Sequence, residues 1–172
     1  MTKYFIYIML FVSIFSCSKK IEIDESKVFK LNRYDNISSL DPINARTQAN
    51  TWACNLMYNS LVKIDNQLEI QPDIAKSWTI SEDGKIYSFT LRNDVFFHKH
   101  EAFGKDSTRN VTASDFEYSF NRLKDPKAGG SGGWILNNID SYKAINDTLF
   151  EIKLKEAYPA FLGLISMKYA SV

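Results

Sequence analysis

The chemistry open to this chain of 172 residues is narrow, because it holds only two histidines and two cysteines. His98, His100 and Glu101 form the densest group of potential metal ligands. On a strand, the H-x-H spacing points both rings to one face, an arrangement suited to zinc, copper or nickel. A closed site takes about four ligands. No further histidine exists to complete one, so the expectation is no bound metal. Cys54 sits among Trp52, Leu56 and Met57, with neither histidine near it in sequence. A thiol without an adjacent base is a poor nucleophile, and a buried, inert cysteine is expected. The run Gly129-Gly130-Ser131-Gly132-Gly133 lacks the Lys-Ser/Thr of a phosphate-cradling loop. No nucleophile elbow and no carboxylate pair stand apart from the scattered surface acids. The sequence therefore predicts a protein that is not an enzyme and holds no cofactor.

Charge and composition narrow the partners. Lys and Arg total 21 against 20 Asp and Glu, a formal net charge of +1. The charges are dispersed, with no basic stripe to hold nucleic acid. Hydrophobic residues make up 45%, which is globular. Twelve Phe, nine Tyr and three Trp suit a strand-rich core or a pocket that stacks on a ligand.

The N-terminus reads as an export signal. Met1-Thr2-Lys3 precedes an apolar run from Tyr4 to Phe15, followed by Ser16-Cys17-Ser18-Lys19-Lys20. That grammar marks residues 1–16 as a secretory signal peptide, and the run is shorter than the ~20 apolar residues of a comfortable bilayer crossing. Cys17 directly after Ile14-Phe15-Ser16 resembles the lipobox of bacterial lipoproteins. The resemblance implies cleavage before Cys17, a diacylglycerol on its thiol, and residues 17–27 as a charged tether; two or more acyl chains anchor stably. The alternative is an ordinary signal peptide with an incidental cysteine. Ser18, rather than Asp, follows the cysteine, and by the same resemblance no inner-membrane retention signal is present. At the other end, Tyr169-Ala170-Ser171-Val172 lacks a cap or polar tail, so the natural chain is expected to continue past Val172.

Between these ends the patterning is mixed. Val28–Tyr34 has β character. Arg46–Leu61 is a helix candidate, with Trp52, Ala53, Leu56, Met57 and Leu61 as its apolar stripe. Residues 61–64 and 68–70 flank the turn Asp65-Asn66-Gln67. Glu82-Asp83-Gly84-Lys85 is the clearest hairpin signal, and Tyr87, Phe89 and Leu91 then alternate with polar residues as a strand with one buried face. Val95–His98 predicts another strand and residues 99–110 a polar, irregular loop. Thr112 caps a helix with Asp115 three residues on, Phe116, Phe120 and Leu123 face inward, and Asp125-Pro126 ends it. Gly129–Gly133 reads as flexible. Phe150, Ile152 and Leu154 mark the last strand, and Tyr158–Met167 an apolar helix with Pro159 in its first turn. The sum is α+β with antiparallel hairpins and packed helices.

Ordered motifs carry a resemblance. They are Ser39-Leu40-Asp41-Pro42, Tyr58-Asn59-Ser60-Leu61-Val62, Pro72-Asp73-Ile74-Ala75-Lys76-Ser77-Trp78, the long run from Ser81 to His98, and Thr112–Phe120. Together they resemble the N-terminal region of the extracellular solute-binding proteins of family five, the oligopeptide- and dipeptide-binding proteins of ABC importers. The resemblance implies the N-terminal part of a two-lobed, type II periplasmic-binding-protein fold. Residues 28–50 would start the first lobe, with its first strand, and residues 51–172 would form a small extra α+β domain. In this family His98 is structural. The longer segment Lys99–Asn110 departs from the pattern.

The implied function is a lipid-anchored receptor in the cell envelope, monomeric, that captures peptides or a similar small solute for ABC permease subunits. The alternative is a lipid-anchored structural or sensing module with the same fold and no transport. By the same resemblance, Arg46, Thr47 and Gln48 fall where relatives contribute to the ligand groove. An extended ligand would pair there with main-chain groups, and Arg46 would take a carboxylate. Their other reading is the exposed start of a helix. Trp134 falls near an aromatic that relatives place against the ligand; its other reading is a core plug.

Overall fold

A sheet with one apolar face needs cover on that face alone, and the alternation in this sequence builds such a sheet. The computed structural model describes residue 28 and residues 30–172. The signal peptide 1–16, Cys17 and the tether 17–27 lie outside the described residues. The chain divides into two compact units, Met1–Tyr34 and Asp35–Val172. In the first, residue 28 and residues 30–34 take no strand conformation, although Val28–Tyr34 has β character. Propensity makes a strand only where cross-strand neighbours pack against it.

In the second unit, strands β3 (Ala75–Ile80), β4 (Ile86–Leu91), β5 (Ile139–Asn146) and β6 (Leu149–Leu154) form one antiparallel sheet in the order β3-β4-β6-β5. Tyr87 lies opposite Ile152 and Phe89 opposite Phe150, so the buried residues of both strands share one face. Helix α2 (Ala113–Lys124) covers that face with Phe116, Phe120 and Leu123. Phe120 meets Phe150 edge-on at 5.5 Å and Tyr142 at 5.1 Å. The short helix α3 (Phe161–Ile165) adds Phe161, whose ring lies 4.8 Å from Tyr87. The opposite face, with Ser77, Thr79, Ser88, Thr90, Glu151 and Lys153, is polar and needs no cover.

The β3–β4 turn forms as its residues dictate. Gly84 takes φ +68, its amide donates to the Ser81 carbonyl at 2.8 Å, and Asp83 accepts from the Lys85 amide. A residue with a Cβ would be strained there. A separate two-stranded hairpin pairs β1 (Val62–Ile64) with β2 (Ile70–Pro72). Asp65 closes it by accepting from the amides of Gln67 and Glu69, both at 2.9 Å.

Further expectations are corrected. The apolar helix expected over Tyr158–Met167 covers only Phe161–Ile165, and Pro159 lies before it rather than in its first turn. Helix α1 (Gln48–Met57) is shorter than the Arg46–Leu61 stretch and buries a different face: Ala49, Asn50 and Cys54 are inside, while Trp52 and Leu56 are exposed. Small residues let α1 lie close to the segment 38–44, and the Cys54 thiol approaches the Leu40 carbonyl at 3.7 Å. The strand expected over Val95–His98 reduces to a single bridge between Phe96 and Asn110. Phe97 stacks instead on Phe103, 5.6 Å away, from a 3-10 turn over Glu101–Asp106 within the expected loop. The Gly129–Gly133 run, expected to be flexible, is held against its neighbours. A Cβ on Gly130 would lie 2.8 Å from that of Ile43, and one on Gly132 would fall inside the Tyr169 side chain.

Candidate ligand-binding cleft

The glycine approach sets one wall of a cleft. Because Gly132 has no side chain, the loop lies flat on Tyr169, and the following 3-10 turn (Gly133–Leu136) presents Trp134 edge-on to that ring, 6.4 Å away at 75°. Trp134 stays half exposed, as does Met167 beside it. The same cleft is lined by Arg46, which follows the 3-10 turn Pro42–Asn44, and by Asn59, Lys63 of β1, Asp73 and Lys168. The enclosed volume is about 670 Å³, within the ~300–1,000 Å³ common for small-molecule sites.

The polar groups are individually positioned. Asp73 accepts from the Asn59 side-chain amide at 2.8 Å and the Ser60 amide at 3.0 Å. Lys168 is largely buried; desolvation holds its ammonium below the ordinary lysine range, with Lys63 adding to the effect and Asp73 and Cys54 opposing it. The Arg46 guanidinium makes no hydrogen bond or ion pair with the described residues. Asn59 and Val172 exchange both backbone hydrogen bonds, at 3.2 and 3.0 Å, and so tie the C-terminal segment to the end of α1.

Of the residues singled out from sequence, Arg46 and Trp134 line this one cleft. Thr47 is the N-cap of α1, accepting from the Asn50 amide at 3.2 Å, and with Arg46 it also lines a smaller cavity of about 240 Å³. Gln48 is exposed in the first turn of the helix. Lys63, Asp73 and Lys168 were not singled out: they lie on three separate segments, and no local pattern announces their meeting. His98 and His100 do not form a shared face. The His98 Nε2 lies 3.3 Å from the Met57 carbonyl, while the His100 Nδ1 accepts from the Ala102 amide. Among the described residues, no group of three or more His, Cys, Asp or Glu is placed to hold a metal.

A second cleft, of about 530 Å³, lies beside α2 and contrasts in its electrostatics. Its two arginines are each matched by a carboxylate: Arg122 grips Asp41 at 2.6 and 3.1 Å, and Arg109 grips Asp115 at 2.5 and 2.8 Å. Arg109 also lies over the Phe97 ring, 4.6 Å from its centroid. Burial pushes the Asp115 carboxyl up, but Arg109 and the Thr112 amide and hydroxyl outweigh it, so it stays below the usual carboxylate range. A carboxylate with a depressed folded-state value stabilises above its unfolded pKa of ~3.9 and loses that contribution as pH falls through the folded value. Asp115→Asn removes the charge facing Arg109 and weakens the cap of α2. We expect it to cost about 1–2 kcal/mol at neutral pH, with the gap from wild type shrinking below pH ~4. Urea titrations at stepped pH measure it; a gap constant down to pH 2 would refute the assignment.

Comparison with known proteins gives this architecture its class. Residues 69–172 match the family described as bacterial extracellular solute-binding proteins, family 5 middle, and the chain belongs to that family. The nickel-binding periplasmic protein of Escherichia coli (strain K12) is 34% identical over 132 residues, covering 77% of this chain and 24% of the relative. The dipeptide-binding protein of the same strain is 32% identical over 128 residues, covering 67% and 24%. The structure of the ABC transporter-associated periplasmic binding protein DppA from Helicobacter pylori, in complex with peptide STSA, superposes with a TM-score of 0.69 at 29% identity, covering 78% of this chain and 28% of that one. HbpA2 from Haemophilus parasuis gives 0.71 at 28% identity, covering 80% and 29%. The fold is that of the N-terminal part of a type II periplasmic binding protein. The chain spans about a quarter of the length of the curated relatives it matches.

Proposed function

We propose that this chain is the N-terminal portion of the substrate receptor of an ABC importer, which captures a peptide or a similar small solute in the cell envelope and presents it to permease subunits. Its role is binding, not catalysis. The observation that carries the reading is the cleft in which Arg46 and Trp134 converge on a largely buried Lys168. Membership of the solute-binding family supports it, as do relatives named for binding dipeptides and nickel. In this reading residues 28–50 begin the first lobe, residues 51–172 form its small α+β extension, and lobe closure traps the solute. The Thr47 carbonyl already accepts from the Thr51 amide at 2.9 Å, so in this reading a ligand meets the amide end of α1 here rather than a strand edge.

The test uses the whole mature protein, purified under native conditions and analysed by native mass spectrometry for bound solute. A small solute should co-purify, and Trp134→Ala should weaken its rebinding by about tenfold or more. No bound solute, and no binding of a peptide mixture by calorimetry, would defeat the reading. We further propose that Cys17 carries the lipid anchor. Cells fed an alkyne palmitate should label the wild type and not Cys17→Ser; equal labelling of both would rule the anchor out.

A further inference from the structure

We infer that this cleft is built for a solute carrying negative charge beyond that of a simple peptide: an acidic peptide or a comparable organic polycarboxylate. The inference rests on the solute-binding reading of the same cleft and names the class of solute it prefers.

The argument is one of charge and of partners. Arg46, Lys63 and Lys168 line the cleft, and Asp73 is the one carboxylate among its lining residues. Asp73 is already committed, holding the Asn59 side chain and the Ser60 amide. Arg46 is committed to nothing among the described residues. A planar guanidinium with its donors vacant matches a carboxylate bidentately. The neighbouring cleft shows how this fold treats an arginine that needs no outside partner: Arg122 and Arg109 each close on an aspartate.

Lys168 strengthens the case. An ammonium withdrawn from water is unfavourable unless an anion compensates it, and the burial of Lys168 outweighs the attraction of Asp73, with Lys63 adding a smaller repulsion. A bound carboxylate supplies the missing countercharge. The apolar part of the lining argues against a bare inorganic anion, because Trp134, Tyr169 and the half-exposed Met167 offer surface that only an organic body covers.

Calorimetry on the whole mature protein, stripped of co-purified solute, decides the matter with three tetrapeptides blocked at neither end: Ala-Glu-Glu-Ala, Ala-Ala-Ala-Ala and Ala-Lys-Lys-Ala. The acidic peptide should bind about tenfold tighter than the neutral one, the basic peptide weakest, and the acidic preference should shrink as salt is raised. Lys63→Gln and Lys168→Gln should each reduce the preference without reversing the order. The salt series on the wild type needs no variant to fold, so it stands if either substitution destabilises. Equal affinity for acidic and neutral peptides, or a basic preference, overturns the inference and leaves the solute-binding reading intact. Binding of none of the three overturns the inference while native mass spectrometry judges the reading separately.

Discussion

Replacing Phe120 with alanine is expected to cost about 3–5 kcal/mol, the range for deleting a buried phenylalanine ring. Phe120 is fully buried and touches Phe150 and Tyr142 at once, so it joins α2 to the two strands β6 and β5. Domains of this size are stable by only ~5–15 kcal/mol, and the variant should unfold at a much lower urea midpoint with an unchanged slope. Phe120→Leu keeps most of the volume and should lose far less. An alanine variant within about 1 kcal/mol of wild type would mean that α2 does not hold the sheet's inner face.

Gly132→Ala is the second large effect, and it joins stability to the cleft. The added methyl would occupy the space of Tyr169, so either the ring or the loop must move. Overpacking of this kind costs about 1–3 kcal/mol. It should also break the edge-on contact between Trp134 and Tyr169, shifting the Trp134 indole resonance in an NMR spectrum and weakening solute binding. Gly163→Ala is the control: an added Cβ would meet nothing within 4 Å, and inside α3 it should leave stability unchanged or raise it slightly. If Gly132→Ala leaves both the resonance and the melting temperature in place, the loop is not clamped as described.

Much of the fold was legible because the sheet has one wet face. Tyr87, Phe89 and Leu91, then Phe150, Ile152 and Leu154, alternate strictly, and all six are buried. The capping of α2 by Asp115 and the turn at Gly84 were readable from residue type alone. What escaped has physical causes. Strand β5 carries register shifts between Ile139 and Ser141 and between Ala144 and Asn146, which erase the two-residue rhythm. Helix α1 misled because the residues it buries are small or polar, whereas Trp52 and Leu56 advertise the wrong face. The cleft was half visible. Arg46 and Trp134 drew notice through a family resemblance, but Lys63, Asp73 and Lys168 meet them only after β1, the segment before β3 and the C-terminal turn have packed together.

Asn50 holds the backbone that presents Arg46. Its side chain accepts from the Ser38 amide at 3.1 Å and donates to the Asn44 carbonyl at 3.3 Å, fastening the segment that leads into Arg46 onto a helix already in place. The conformational entropy of that segment is therefore lost when the protein folds, before any solute arrives. If the proposed function holds, a solute meeting Arg46 would find its backbone preorganised and would bear only the ordering of one long side chain, about 0.5–1.5 kcal/mol rather than that of a whole loop. In the proposed reading, affinity would then be set in two places: by the side chains that face the solute, and by an asparagine whose side-chain hydrogen bonds are made to the chain's own backbone.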